Sequence, residues 1–210
     1  MNLIDLKKNP ELIPVIEWWE KDGKQTVICL LVAVAAVAGW YGWKHHRASE
    51  RAAASAAIAD ATAPADLEEA VAKFSGSAAE PALEIKLAKS YYDDGRYEEA
   101  LARYEEMSGK VPAEFADIPV VGKAMCLEAL KKFPEALEAF DGFVEANPKS
   151  YLALTAKLGA ARCVAESGDS AKALERIEAL KKECEGDDVA KSRVEAAENA
   201  IKRLAKEPKE

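Results

Sequence analysis

Apolar and polar positions divide this chain into two regimes. From Thr26 to Trp43 (TVICLLVAVAAVAGWYGW) no charge interrupts the run, and the nearest charges are Lys24 and Lys44. These eighteen residues, at ~1.5 Å rise, make a helix of roughly 27 Å, about the hydrocarbon thickness of a bilayer. The run has no polar face to present to water. Trp40, Tyr41 and Trp43 gather at one end, where amphipathic rings favour the headgroup level. The pattern predicts one membrane helix over residues 25–43. Uniform apolarity argues against a buried core helix. A cleaved signal peptide fits poorly with the polar residues ahead of the run and the bulky Gly-Trp-Tyr-Gly-Trp behind it. The small residues from Ala52 to Ala56 lie too far downstream for a cleavage site.

Behind the run the pattern becomes amphipathic. Residues 44–63 are almost half alanine with Ile58 their one large aliphatic residue, which predicts that the span continues as one helix into water. Thin alanines allow a neighbour to approach, and Asp66 to Phe74 is the expected partner. Pro64 stands at its start, Leu67, Val71 and Phe74 at helical spacing, and Ser75-Gly76-Ser77 at its end. Ahead of the span, Pro10 and Pro14 interrupt any long helix. Val15, Ile16, Trp18 and Trp19 among Glu17, Glu20, Lys21 and Asp22 predict a short interfacial helix, with a disordered tail as the alternative.

From Pro81 a spacing recurs. With Pro81 as position one, Leu87 is large at seven, Ala88 small at eight and Tyr91 aromatic at eleven; Gly95 follows at fifteen and Tyr97 at seventeen. Ala100, Tyr104 and Pro112 then fill positions twenty, twenty-four and thirty-two. A second copy from Asp117 has Ala124, Leu127, Phe133, Ala136, Phe140 and Pro148 at eight, eleven, seventeen, twenty, twenty-four and thirty-two. A third from Leu154 has Ala161, Gly168, Ala173 and Ile177 at eight, fifteen, twenty and twenty-four, and departs from the pattern at Ser170 and Glu185. The spacing resembles the tetratricopeptide repeat, a helix hairpin of about 34 residues. Small residues at eight and twenty let the two helices cross closely, Gly95 turns the chain, and Pro112 stops the second helix. Residues 187–206 place Val194, Ala197, Ile201 and Leu204 on one face, with Asp187 or Asp188 as the cap and Pro208 just beyond the end. Such a helix can close a solenoid.

The fold class predicted is therefore all-α, a single N-terminal transmembrane helix followed by a TPR-like solenoid. Its parts are an N-terminal segment (1–24), the span (25–43), a helical extension and hairpin (44–80), and repeats with a terminal capping helix (81–210). Composition agrees: beta-branched residues are sparse after residue 44, and Ala, Glu, Lys and Leu dominate. The net charge is −8, and behind the span 25 basic residues stand against 32 acidic ones, net −7, with no basic stripe, which argues against nucleic acid or anionic lipid as a partner of that domain. Cys29, Cys126, Cys163 and Cys184 lack CxxC spacing and the only histidines are His45-His46, so neither a zinc site nor a Cys–His pair is formed. Isolated thiols are expected rather than a disulfide.

No GxSxG, HExxH, P-loop or GxGxxG occurs in the sequence. The expectation is a protein without catalysis, cofactor, metal or small-molecule substrate. The candidate site is the groove of the first helices, which positions two, five, nine and twelve of such repeats face. These are Ala82, Ile85, Lys89 and Tyr92; Ile118, Val121, Met125 and Glu128; and Thr155, Leu158, Arg162 and Ala165. Ile85, Lys89, Tyr92, Val121, Met125, Leu158 and Arg162 are the candidate protein-binding residues. A mostly apolar groove with two basic residues suits an extended or helical segment of another protein. The alternative is that some of them pack against the terminal helix. The Lys and Asn set with which some members of the repeat family clamp a chaperone's C-terminal carboxylate is absent.

Flanking charge does not orient the span. Lys7, Lys8, Lys21 and Lys24 on one side nearly balance Lys44, Arg47 and Arg51 on the other. The frame around it is more specific. Trp18-Trp19, then Asp22-Gly23-Lys24, an apolar stretch and Gly39-Trp40-Tyr41-Gly42-Trp43 resembles the YfgM-like family of ancillary subunits of the bacterial SecYEG translocon. The resemblance implies a single-pass protein of the bacterial inner membrane with a cytoplasmic N-terminus and a periplasmic repeat domain. It also implies two partners, the translocon and a periplasmic chaperone of the PpiD type. Two other readings stay open: a cytoplasm-facing scaffold of the same architecture, and self-association through Ala35 and Gly39.

Overall fold

In a computed structural model, residues 14, 18, 21, 23–61 and 63–206 are described. The interfacial helix expected within residues 1–24 and the stop at Pro208 lie outside them. Nine α-helices run from end to end among the described residues: α1 (Lys24–Asp60), α2 (Pro64–Lys73), α3 (Glu80–Asp93), α4 (Tyr97–Met107), α5 (Asp117–Ala129), α6 (Phe133–Ala146), α7 (Ala153–Glu166), α8 (Ser170–Glu183) and α9 (Asp188–Leu204). Two compact units are formed, Met1–Ala53 and Ala54–Glu210.

The apolar run and the alanine-rich extension form one uninterrupted helix, as expected, and its residues up to Ala53 belong to the first unit. Along it Ile28, Leu30, Leu31, Val32, Val34, Val37, Trp40, Tyr41 and Trp43 are each 55–65 % exposed. The helix is long and apolar enough to cross a membrane, with none of its apolar stretch buried in protein. That second property separates it from a core helix.

The second unit is a stack of hairpins. The small residues at positions eight and twenty, Ala88 and Ala100, Ala124 and Ala136, Ala161 and Ala173, are all 0 % exposed. Each pair lies where two antiparallel helices cross, and larger side chains would force the axes apart. The end of α1 joins the stack: Ala54, Ala57, Ile58 and Ala61 cluster with Leu67, Ala70 and Phe74 of α2 and its cap, and with Leu83 and Leu87 of α3. Lys86 of α3 donates from Nζ to the terminal carbonyls of α1, Ile58 O and Ala61 O. It thereby satisfies acceptors that a helix end leaves open.

Each hairpin turns through the same backbone device. Gly95, Lys131 and Gly168 have φ of 79°, 60° and 103°. The next amide reaches back to the helix in each case (Arg96 N to Tyr91 O, Lys132 N to Leu127 O, Asp169 N to Val164 O), and the turn residue itself donates to Tyr92, Glu128 and Ala165. These are three Schellman caps. Position fifteen of the second copy thus keeps a left-handed backbone although it carries Lys rather than Gly, because the flanking hydrogen bonds and the packed helices dictate it. At the other end Asp187 caps α9 by accepting from Val189 N and Ala190 N. Val194 and Ile201 are wholly buried against α7 and α8, with Ala197 and Leu204 beside them.

Cys126 and Cys163 are buried free thiols, Cys184 is half-buried and Cys29 exposed. Burial pushes both interior thiols up to about 12, which leaves them protonated and unreactive near neutral pH.

The left-handed lysine generates a prediction. Lys131→Gly removes a side chain from a conformation that costs it roughly 1 kcal/mol, and should raise stability by about 0.5–1 kcal/mol. Gly95→Ala should lower it by a similar amount. Thermal melting of both variants followed by circular dichroism checks the opposite signs.

Candidate functional site

The concave face is built from the first helices α3, α5 and α7. An apolar cleft of about 380 Å³ opens there, lined by Ile85, Lys89 and Tyr92 of α3, Ile118, Val121 and Met125 of α5, and Thr155 of α7. Five of the seven candidate residues therefore meet around one cavity. The other two do not. Leu158 is 4 % exposed and packs in the terminal cluster with Ile177, Val194 and Ile201. The terminal helix lies against α7 where a further repeat would, and it covers that position together with Ala165. Arg162 stands beyond the cleft, held by both oxygens of Glu128 at 2.6 and 2.8 Å.

The two expected cations are both neutralised. Lys89 Nζ lies 2.6 Å from Asp93 Oδ2, one turn along the same helix. Arg162 reaches from α7 to α5, and the Glu128 carboxylate holds its guanidinium above its ordinary value. A bidentate pair of this kind is geometrically fixed. The surface therefore presents an apolar patch with satisfied charges at its margins. Burial, helped by the charge of Glu128, also raises the Tyr92 hydroxyl. The Tyr92 ring meets Tyr97 edge-on at 5.3 Å.

Five lining residues, Asp93, Tyr104, Gly122, Tyr151 and Leu152, come from positions that the repeat pattern does not assign to the groove. Tyr151 and Leu152 belong to the turn before α7. Ser150 Oγ donates to Asp117 at the start of α5 and accepts from Leu152 N at 3.1 Å, which fixes this turn over the cleft and leaves Tyr151 67 % exposed. Tyr104 comes from α4, in the outer layer. It reaches the cleft because position six of the next copy is glycine: a Cβ on Gly122 would stand 2.6 Å from the Tyr104 ring. The next junction repeats the arrangement, with a Gly159 Cβ falling 2.5 Å from the Phe140 ring. The aromatic at twenty-four of one copy thus packs flat on the glycine at six of the next. Comparing positions six and twenty-four across copies would have exposed the pairing in the sequence. Position six of the first copy is Lys86, which hides it.

Among the described residues no group of three or more His, Cys, Asp or Glu side chains converges on a point that could hold a metal ion. A second cavity of about 330 Å³, lined by Glu80, Glu84, Glu106, Met107 and Lys110, holds Glu84, whose carboxyl is raised by burial against the lowering effect of Arg103.

Comparison with known proteins agrees with this geometry. The sequence model of the tetratricopeptide repeat family matches residues 85–150 and, overlapping them, 121–188. No curated protein sequence matches the chain. Among solved structures, the nearly identical TPR-like repeats of a putative kinesin light chain from Podosopora anserina superpose with a TM-score of 0.54 at 17 % identity, covering 67 % of this chain and 76 % of that one. A single-substitution variant of the same repeats gives 0.53 at 18 % identity over the same shares. At this identity the likeness concerns the fold, which is a TPR-like helical solenoid, an architecture that serves protein binding.

The glycine junction can be tested directly. Gly122→Ala and Gly159→Ala should each destabilise the chain by about 1–3 kcal/mol through overpacking. Tyr104→Phe should leave stability within about 0.5 kcal/mol, since Phe140 fills the equivalent place without a hydroxyl. Chemical denaturation of the three variants measures the contrast.

Proposed function

We propose that this chain is a membrane-anchored, non-catalytic binding module whose concave cleft receives an apolar segment of another protein. The observation that carries the reading is the cleft itself. Ile85, Ile118, Val121, Met125 and Leu152 surround it with three tyrosines, while the neighbouring charges of Lys89 and Arg162 are already paired. Contact area and shape, rather than an exposed cation, then select the ligand, as in helix-in-groove recognition. The domain plan of residues 1–24, 25–43, 44–80 and 81–210 belongs to the same reading: an N-terminal segment, the span, a helical extension and the binding repeats.

The anchor supports a narrower assignment. Its Trp pair, Asp-Gly-Lys and Gly-Trp frame resembles that of YfgM-like translocon subunits. On that ground we assign the chain to the bacterial inner membrane, with a cytoplasmic N-terminus and a periplasmic repeat domain, at work among secreted chains. Its partners are then a SecYEG-type translocon and a PpiD-type chaperone. The near balance of basic residues on the two sides of the span favours keeping a second reading, a cytoplasm-facing scaffold.

Photocrosslinkers placed at Tyr92 or Met125 in native membranes should trap a periplasmic chaperone or a translocon subunit. Recovery of cytosolic proteins alone would sink the narrower assignment. A topology reporter fused behind Glu210 should report the periplasm, and a cytoplasmic signal would favour the scaffold.

A further inference from the structure

We propose that Trp40, Trp43, Lys44, Arg47 and Arg51 of α1 form a one-sided docking stripe for the headgroup of an anionic phospholipid. The inference rests on α1 spanning a membrane and goes beyond anchorage. At 3.6 residues per turn these five positions fall within an arc of about 100°. His45, Ser49 and Ala53 occupy the opposite side of the same turns. Every Lys and Arg between Lys24 and Ala53 lies on the stripe.

Cations and rings are already joined. Lys44 Nζ stands 5.4 Å from the Trp40 ring centroid, and Arg47 Cζ stands 4.5 Å from that of Trp43. Tryptophan is the best partner for such contacts, and each contact holds a cation beside the apolar boundary. The nearest acid, Glu50, lies 3.5 Å from His46 Nε2 and falls about 20° outside the arc of the stripe. Trp40 and Trp43 are 56 % and 55 % exposed, so the face is open along its length.

Depth matches a headgroup. The polar layer of a bilayer leaflet is roughly 5–8 Å thick. With Trp43 at the hydrocarbon edge, Lys44 and Arg47 fall within about 6 Å beyond it, and Arg51 is near 12 Å with a side chain long enough to reach back. Charge selects the occupant. Residues 54–210 carry 22 Lys and Arg against 31 Asp and Glu, a net −9, so the stripe does not belong to a generally basic surface. A phosphate flanked by three cations, with its glycerol and acyl carbons against two indoles, complements every group on this face. The acidic balance behind the span argues against anionic lipid as a partner of that region as a whole; the proposal sets against it the gathering of three cations on one face of α1.

The test uses the full chain reconstituted in phosphatidylcholine vesicles, with spin-labelled phosphatidylglycerol or phosphatidylcholine as the probe, at about 0.1 M salt. The wild-type chain should associate with the anionic probe about fivefold more strongly, the equivalent of about 1 kcal/mol. Lys44→Gln with Arg47→Gln and Arg51→Gln should abolish the preference. Adding His45→Lys, Ser49→Arg and Ala53→Arg to that triple variant restores the charge at similar depth on the opposite face, away from the indoles. The preference should then stay below about twofold. A face-swapped chain that regains the full preference would overturn the proposal, because charge alone would then suffice. Equal association of both probes with the wild-type chain would also overturn it. Release of the protein by an alkaline wash would remove the span and the stripe together, and so is distinguishable from a failure of the stripe alone.

Discussion

Close approach of helices at small residues is the constraint on which the second unit depends. Three alanine pairs, all fully buried, set the crossing within each hairpin. Two glycines under aromatic rings, Gly122 under Tyr104 and Gly159 under Phe140, set the distance between hairpins. Dispersion falls steeply with separation, so a methyl group added at any of these places costs many contacts at once. The face of α3, α5 and α7 takes its form from these approaches, and one of them, Tyr104 on Gly122, also supplies a wall of the cleft. The candidate cleft is therefore a by-product of packing, and it cannot be separated from the stability of its junctions.

The same junction explains how much of the site could be read in advance. Spacing within one copy is local, and it showed both helices, the glycine turns, the alanine crossings and a terminal cap at Asp187 or Asp188, of which Asp187 is the one used. Lys131 lay hidden because the left-handed turn is imposed by three-dimensional hydrogen bonds rather than by its own side chain. The groove positions were legible only as far as the repeats are equivalent. Ile85, Tyr92, Val121 and Met125 face the cleft because another first helix follows each of theirs. Leu158 does not, because α9 takes the place of that helix and buries it. Tyr104 was invisible from within its own copy, since it needs Gly122 of the next one to reach the cleft. The charges of Lys89 and Arg162 were visible, but their partners Asp93 and Glu128 could be matched only once the helices were placed.

Charge is used differently in the two units. In the solenoid several cations are tied to carboxylates: Arg162 to Glu128 and Arg176 to Asp141, each through two hydrogen bonds, and Lys181 and Lys202 both to Glu198 at 2.7 Å. Most of these pairs link neighbouring helices and fix orientation, though they are exposed enough that each adds little net stability. On the stretch of α1 behind the apolar run, Lys44 and Arg47 stand over the indole rings of Trp40 and Trp43. A carboxylate partner would neutralise a cation, whereas a ring leaves its charge available.

That contrast bears on what can recognise each region. A protein segment entering the cleft need not displace an ion pair or strand a buried charge, because the lining is apolar and its neighbours are satisfied. On the proposed reading, selection there would rest on fit against tyrosines and aliphatic side chains. Lys44, Arg47 and Arg51 keep their charge on a single face, where a bound phosphate would gain strength from the low dielectric at the edge of the hydrocarbon. An apolar site and a charged, directional one therefore follow from where each set of cations finds its nearest partner. Exchanging the partners, with carboxylates along α1 and indoles beside α7, would exchange the two kinds of recognition while leaving the helical scaffold intact.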